Sequence, residues 1–454
     1  MDFSGREEPA TGPRSATGAS GRALVGAIIL HGAHAKGARS AAAATSRRGC
    51  YPIGMGLEQD GADRNDRETR AAYGAGLFTN GVWDMLSVVV PLYAVAVGLN
   101  AAQIGLIIAA RSVLPAALSI HGGIIMDELG TRRVLLWVAA ASVALPLLFP
   151  LSGWFGVLTA LQLLLGLATS LGMAASQTWS MQTSHGDTAI LARYSVATRV
   201  GTFIGPVAVG AAWDLLGAWA AFACVSVCAA GIIWSTAYGT SDSDPRSDTR
   251  PNLGALLPNW AAHKQALRLA VVPAVAFILV ASFLRNASGA IQSSLFVVHL
   301  NETGMSGTLI GLLVSIAELS GVFGSLAAAA AQRRMHANRL VIACTVISMV
   351  AICLTPLLAP VFLLLALAGV VRGISQGMSQ PLMYAVLTQG VPGGRHGASV
   401  GLRNAVVRLG SIVTPALMGF IAEAYGIAAS FYIIGALYLM ATALLALAER
   451  RLPR

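Results

Sequence analysis

The chain has 454 residues, of which 56% are hydrophobic and only 11% are charged, whereas a soluble domain carries roughly a quarter charged residues. This composition argues against a soluble globular protein. The net charge of +10 is compatible with nucleic-acid binding. The Lys and Arg residues, however, are concentrated in alternate loops between apolar segments. We therefore interpret the charge as a feature of membrane topology and exclude nucleic acid as a partner.

Long apolar segments follow one another from about residue 72 to the C-terminus. Each is long enough to cross a hydrocarbon core of about 30 Å, which takes a helix of roughly 20 residues. The first six predicted spans are residues 72–97, 102–126, 133–152, 155–181, 192–213 and 218–238. The second six are residues 269–298, 307–331, 339–358, 360–387, 398–421 and 428–449. The sequence thus predicts an all-α membrane protein with twelve transmembrane helices.

Polar segments lie before, between and after the two sets of spans. Residues 1–70 are rich in Ala, Gly, Arg and Ser without a sustained period, so we predict that they are disordered. One hypothesis places the natural start of the chain at Met55. Residues 239–268 are the longest internal polar segment. The predicted divisions are therefore a disordered segment (1–70), an N-terminal bundle (71–238), a cytoplasmic linker (239–268), a C-terminal bundle (269–449) and a cytoplasmic tail (450–454).

Positive residues occur in every second loop between the predicted spans, for example Arg132 and Arg133 in one loop and Arg333 and Arg334 in another. The other six loops, such as residues 98–100, contain no Lys or Arg. The positive-inside rule assigns the charged loops to the cytoplasm. We predict a multi-pass protein of the bacterial inner membrane, with both termini in the cytoplasm.

The two sets of six spans are repeats of each other. Near the start of each set the matching residues are 206 positions apart, and near the end they are 209 apart. The offset changes only between helices, as differences in loop length would require. Two parallel six-helix repeats place a substrate site between the halves at the bilayer midplane. The matched pairs include Asn80 and Asn286, Gly105 and Gly311, Arg199 and Arg408, Pro206 and Pro415, and Asp214 and Glu423.

The loop after the second span contains Gly123, Asp127, Gly130, Arg132 and Arg133. This pattern resembles the Gly-x-x-x-Asp-x-x-Gly-x-Arg-Arg motif of the major facilitator superfamily, and it lies in the corresponding loop. The resemblance covers about residues 72–449 and implies two pseudo-symmetric six-helix bundles that work by alternating access. In that family the motif is thought to hold the outward-facing state, with the acidic residue pairing with an arginine or a helix N-terminus.

The fifth span contains Gly201, Gly205, Pro206 and Gly210, and Pro415 repeats the proline in the eleventh span. This pattern is similar to a Gly-Pro motif of the family's proton-driven exporters, although Ala192 replaces an expected upstream glycine. Small residues four apart also allow close helix packing, and a proline bends a helix. Both interpretations, export and plain packing, stay open from the sequence.

Charged residues in the predicted spans are costly unless they are paired or hydrated. Asp84 and Arg111 lie near the midplane in the first two spans, Arg285 and Glu318 repeat the arrangement in the seventh and eighth, and Arg372 adds a fifth charge. In one interpretation these are structural ion pairs. In the other, at least one acid takes up and releases a proton during transport while the arginines bind an anionic group.

Uncharged polar residues complete the predicted substrate cavity. Arg199, Arg403 and Arg408 lie closer to the cytoplasmic ends of their predicted spans, where long basic side chains reach the interface without a functional role. We therefore leave these three arginines out of the predicted site. The residues predicted to line the cavity are Asn80, Gln162, Gln177, Asn286, Arg372, Gln376 and Gln380.

The sequence predicts a secondary transporter driven by an ion gradient, since it has no phosphate-binding Gly-x-x-x-x-Gly-Lys loop. Proton-coupled export of a small organic compound is the favoured function, and import of an organic anion is the alternative. A non-transporting receptor or scaffold is a candidate of another class. The Gly373-x-Ser375-x-Gly377 pattern lies in a membrane span, so we predict no enzyme activity. We expect a monomer without cofactor or metal, with lipid, protons and a small-molecule substrate as partners.

Overall fold

The computed structural model describes residues 53–118, 126, 129–184, 187–239, 273–390 and 396–449. Residues 240–268 of the predicted linker, the tail and most of the predicted disordered segment lie outside these residues, as do Gly123 and Asp127 of the loop motif. Residues 60–454 form one unit, and the halves related by the repeat both lie within it.

The described residues fold into helices, and none of them lies in a β-strand. The helix that ends at Ile291 continues through a π-helical turn, Gln292–Phe296, into a short helix, Val297–Glu302, and another short helix is Thr355–Leu358. The long helices are α1 (Ile53–Ala96), α2 (Ala101–Leu118), α3 (Thr131–Leu148), α4 (Phe155–Ser184), α5 (Thr188–Tyr238), α6 (Pro273–Ile291), α7 (Gly307–Gln332), α8 (Ala337–Cys353), α9 (Phe362–Gly390), α10 (His396–Tyr425) and α11 (Ile427–Glu449).

Ten helices of the described chain are long and apolar enough to cross a membrane. One of them is the 51-residue α5, which bends at Gly217, where φ is 80° and ψ is −169°. A positive φ is readily adopted only by glycine, so α5 contains both the fifth and the sixth predicted spans. The apolar helix α8 has 17 residues and supplies a further span. The ten helices include α5 only once. The second span of α5 and the span of α8 bring the total to twelve, which confirms the predicted fold class.

Corresponding residues of the two halves occupy corresponding places in the core. Phe222 of α5 and Phe431 of α11 are matched by the repeat, and both are fully buried. Phe222 stacks on Phe149 with ring centroids 5.0 Å apart and meets Tyr93 edge-on at 5.4 Å. Large aromatic rings in the same register of each half anchor the helices around them.

Two pairs of helices join the halves: α5 packs against α7, and α2 packs against α10. We call these contacts the α5–α7 seam and the α2–α10 seam. Small residues allow the backbones to meet, because a Cβ atom on Gly311 would collide with the carbonyl oxygen of Pro206. A Cβ on Gly105 would likewise collide with the carbonyl oxygen of Pro415. Both prolines of the predicted packing motif therefore lie at close contacts between the halves.

The glycines of that motif pack in the same way. A Cβ on Gly201 would meet the carbonyl oxygen of Leu77, and a Cβ on Gly205 would lie 2.9 Å from the carbonyl oxygen of Gly81. Gly210 has no room for a Cβ beside the carbonyl group of Gly307. These contacts support the interpretation of the motif as helix packing.

Candidate functional site

Two adjoining polar cavities lie between the halves. The first, of about 200 Å³, is lined by Trp83 and Asp84 of α1 together with residues of α6, α7 and α10. The second, of about 270 Å³, is lined by Arg199 of α5 and Arg285 of α6 together with residues of α7 and α9. We call them the Asp84 cavity and the Arg285 cavity. Glu318 lines both of them, so the two cavities meet at this carboxylate.

Glu318 forms a salt bridge across the halves. Its Oε2 lies 3.8 Å from a guanidinium nitrogen of Arg199, and the two side chains are 35% and 40% exposed. The pair is therefore open to water and to a ligand in the cavity. Arg199 was expected to reach the membrane interface, but it lines the Arg285 cavity instead.

Arg285 lies against α9. Its guanidinium group donates hydrogen bonds to Ser379 Oγ at 2.7 Å, to the carbonyl oxygen of Gln376 at 2.9 Å and to Gln380 Oε1 at 2.8 Å. Gln376 in turn donates through Nε2 to the carbonyl oxygen of Arg285 and to Ser348 Oγ, each at 3.1 Å. Three predicted site residues, Arg285, Gln376 and Gln380, thus form one hydrogen-bonded group on the wall of the Arg285 cavity.

Arg372 is buried and lines the Arg285 cavity. Its guanidinium group donates a hydrogen bond to Gln292 Oε1. Gln292 begins the π-helical turn of α6, in which Ser294 has a non-helical conformation (φ −124°, ψ −111°). Single π-helical turns of this kind are frequent at functional sites. Gln292 was not among the predicted site residues, although an amide seven residues after Arg285 in an apolar segment was a usable signal.

Arg111 packs on a tryptophan. Its guanidinium carbon lies 3.6 Å from the centre of the Trp83 ring, and it donates to the carbonyl oxygen of Trp83 at 2.6 Å. Arg111 is only 6% exposed, and its Nε has no hydrogen-bond partner among the described residues. The neighbouring Asp84 is partly exposed and lies within the electrostatic range of Arg111, Arg199 and Glu318. Trp83 was not predicted as a site residue.

Arg408 approaches the same tryptophan from the other half. Its guanidinium carbon is 5.4 Å from the centre of the Trp83 ring, and it donates to Ser170 Oγ at 2.9 Å. A cation within about 6 Å of an aromatic face is attracted to it. Arg408 therefore contacts both α1 and α4 from α10, although the sequence suggested only an interfacial position.

The other predicted cavity residues divide into two groups. Asn286 lines the Asp84 cavity and donates through Nδ2 to the carbonyl oxygen of Val407 and to Ser411 Oγ, each at 2.8 Å. Three other predicted residues line neither cavity. Asn80 donates a hydrogen bond back to its own helix, Gln162 is buried at 2% exposure, and Gln177 is exposed.

The described part of the loop motif ties α3 to α5. Gly130 has a φ of 86° and directly precedes α3. Arg132 donates to the carbonyl oxygens of Thr236, at 2.6 and 3.1 Å, and of Gly239, at 2.7 Å. A guanidinium group at the last carbonyls of a helix satisfies them and complements the helix dipole. Arg133 is exposed.

The charge of the Arg285 cavity is unbalanced. Its lining includes three arginines, Arg199, Arg285 and Arg372, and one carboxylate, Glu318. Such a cavity favours a ligand that carries negative charge, because arginine offers bidentate donors to carboxylate and phosphate groups. In the part of the chain that the structure describes, no cluster of three His, Cys, Asp or Glu residues is placed to hold a metal ion.

Comparison with known proteins identifies related sequences and folds. The profile of the Major Facilitator Superfamily matches residues 72–297 and 278–454. No curated protein sequence matches the chain. The fold is similar to that of the nucleoside transporter NupG, with a TM-score of 0.70 at 13% identity over 85% of this chain and 100% of that one. It is also similar to the fold of a bacterial homologue of the human lysosomal transporter Spinster in an inward-facing, unoccupied conformation. The TM-score is 0.63 at 15% identity, over 86% of this chain and 97% of that one.

Proposed function

Since the chain belongs to the Major Facilitator Superfamily, we propose that it couples the transport of a small organic anion to the proton gradient. The protein is a multi-pass membrane transporter of the secondary type and not an enzyme. One observation carries the substrate class: the Arg285 cavity is lined by three arginines and one carboxylate. The likeness to NupG is at 13% identity, so it shows the fold and does not extend to the substrate.

Two carboxylates supply the proposed coupling. Asp84 and Glu318 line the same cavity, where two negative charges disfavour each other and also disfavour an entering anion. When a proton neutralises one of them, that repulsion falls and the anion binds more tightly. By linkage the anion strengthens proton binding to the same extent. Proton and anion then cross together, and an inward proton gradient drives uptake against an inside-negative potential.

Export of a small organic compound in exchange for protons is the second candidate. A cationic substrate would compete with protons for Asp84 and Glu318, and the partial similarity of Gly201, Gly205 and Pro206 to the exporter motif favours this direction. The same residues have packing contacts that account for them without export. Anion uptake is therefore the first candidate.

The proposed orientation follows the positive charges in alternate loops. Both termini, together with a linker at residues 239–268, lie in the cytoplasm of a bacterium, and the bundles at residues 71–238 and 269–449 work as a monomer in the inner membrane. The N-termini of α2 and α7 then lie at the periplasmic side.

Proteoliposomes with an internal pH dye test this function. Organic anions and cationic drugs are added outside vesicles in which the chain has one orientation. Anion–proton symport acidifies the lumen, whereas exchange of an outside substrate for protons makes it alkaline. The sign of the pH change therefore separates the two candidates. Measurable ligand binding without any flux would favour a receptor.

Glu318→Gln is the informative variant, and Glu302→Gln is its control. Glu302 is exposed and lies at the end of a short helix, in neither cavity. We expect Glu318→Gln to reduce anion-driven proton movement at least about tenfold, a typical size for coupling between two ligands. Glu302→Gln should be unaffected. Unchanged signals in both Glu318→Gln and Asp84→Asn would contradict proton coupling through this cavity.

A further inference from the structure

The α5–α7 seam opens at one end. The helices run antiparallel and make close contacts at successive steps: Gly210 with Gly307, Pro206 with Gly311, and Phe203 with Ser315, whose Oγ donates to the Phe203 carbonyl oxygen at 2.6 Å. The next step is the Arg199–Glu318 pair at 3.8 Å. Around and beyond this pair, a cavity of about 560 Å³ lies between the helices.

This cavity is apolar and opens to the surface of the bundle. Its walls include exposed apolar side chains, which on the outer surface of a transmembrane bundle face the acyl chains of the bilayer. We call the cavity the α5–α7 groove. Its volume is within the range of about 300–1,000 Å³ that holds a ligand of drug size. The exposed apolar residues that line it are Val196, Val200, Ile204, Leu319 and Leu326.

The groove joins the Arg285 cavity. Arg199 and Ser325 line both spaces, so the Arg199 guanidinium lies where an apolar groove meets a basic cavity. Such a junction suits a ligand with an anionic head and an apolar tail. The head would meet Arg199 and Arg285, and the tail would extend between α5 and α7 toward the lipid. A small hydrophilic anion would leave the groove unused.

We propose that the α5–α7 groove binds the alkyl chain of a single-chain amphipathic carboxylate whose head group occupies the Arg285 cavity. This inference rests on the proposed function, because the head takes the place assigned to the small organic anion. The groove then makes the transporter selective for carboxylates that approach from within the bilayer.

The repeat provides a matched test. Leu319→Trp would fill the groove, and Val113→Trp places the same side chain at the position 206 residues earlier, on α2. Leu319 and Val113 are each 40% exposed. Binding of radiolabelled dodecanoate and propionate is measured with the full chain in lipid nanodiscs. Partitioning of each probe into lipid is the same for all variants, so it cancels in the comparison.

We expect Leu319→Trp to weaken dodecanoate binding at least about tenfold, because even two methylene groups left in a polar cavity cost that much affinity. Propionate binding should be unchanged, and Val113→Trp should alter neither probe. If Leu319→Trp does not fold, Leu326→Trp fills the groove from a position that is 75% exposed.

Equal dodecanoate affinity in the wild type and the filled variants would overturn the inference. It would indicate that bilayer lipid, and not the carboxylate, occupies the groove. An equal loss in Val113→Trp would also overturn it. If propionate still drives proton movement in that case, the proposed function stands without the groove. If neither carboxylate binds and no anion moves protons, the proposed function fails with it.

Discussion

The two seams are built alike at one end. Asp214, at the end of the first half of α5, accepts hydrogen bonds from the backbone N–H groups of Gly307 and Thr308 at 2.8 Å and from Thr308 Oγ1 at 2.6 Å. Glu423, its repeat partner in α10, accepts from the N–H of Ala101 at 3.1 Å. Each carboxylate therefore binds the N-terminus of a helix from the other half, where the helix dipole favours negative charge. Both seams are therefore closed at this end by the same kind of contact, a carboxylate that binds a helix N-terminus.

The seams differ at the other end. In the α5–α7 seam Arg199 meets Glu318, whereas the repeat partner of Arg199, Arg408 of α10, meets no carboxylate of α2 and instead contacts Ser170 of α4 and the Trp83 ring of α1. The residue that corresponds to Glu318, 206 positions earlier, is Ser112. Closure is thus shared between the seams, while only the α5–α7 seam contributes a carboxylate, Glu318, to the coupling that we propose.

The largest expected effect, on transport, tests the difference between Arg199 and its repeat partner Arg408. We expect Arg199→Gln to reduce anion-driven transport about a hundredfold, near the upper end of measured coupling energies, and the matched Arg408→Gln to reduce it about fivefold or less. Arg199→Gln should change the free energy of unfolding by less than about 1 kcal/mol, because the ion pair is more than a third exposed. Vesicle flux and denaturant unfolding measure the two quantities. Equal losses of flux in both variants would mean that the seams share the coupling role.

The next effect tests what the seams have in common. Gly311→Ala and Gly105→Ala each place a Cβ against a carbonyl oxygen of the opposite half, and overpacking of this kind costs about 1–3 kcal/mol. We expect similar losses of unfolding free energy for both. Gly289→Ala is the control, since a Cβ there meets nothing within 4 Å. A large loss in only one of the two seam variants would break the proposed symmetry of closure.

The fold was predictable from the sequence because hydropathy and the repeat encode it directly. The positions of several polar residues were predictable in part: Asn286 lies at the Asp84 cavity, and Arg372, Gln376 and Gln380 lie at the Arg285 cavity. A polar side chain in an apolar span must find a polar environment, and the space between the halves provides one. The polar character of Gln162 and Gln177 did not indicate which way each faces.

Partners across the site could not be predicted in the same way. Arg199 was assigned to the interface because the predicted span began at residue 192, but α5 begins at Thr188. Arg199 is therefore eleven residues into the helix, or roughly 16 Å at 1.5 Å per residue. Its pairing with Glu318 also depends on how α5 and α7 rotate against each other, which is set by close contacts such as that of Gly311 with Pro206. These distances follow from packing and are not encoded in a local pattern.

The smallest expected effect tests the inequality of the two helix caps. Asp214 accepts three hydrogen bonds and Glu423 accepts one, so Asp214→Ala should cost about 1–2 kcal/mol of unfolding free energy and Glu423→Ala about 0.5 kcal/mol.

Asp187→Ala is a control of another kind, because Asp187 caps α5 within its own half. All three variants lose a cap, but only the first two loosen contacts between halves. Disulfide trapping of cysteine pairs placed across each seam near Asp214 and Glu423 should therefore slow in Asp214→Ala and Glu423→Ala and stay unchanged in Asp187→Ala. Equal trapping in all three would show that the caps stabilise single helices and do not hold the halves together.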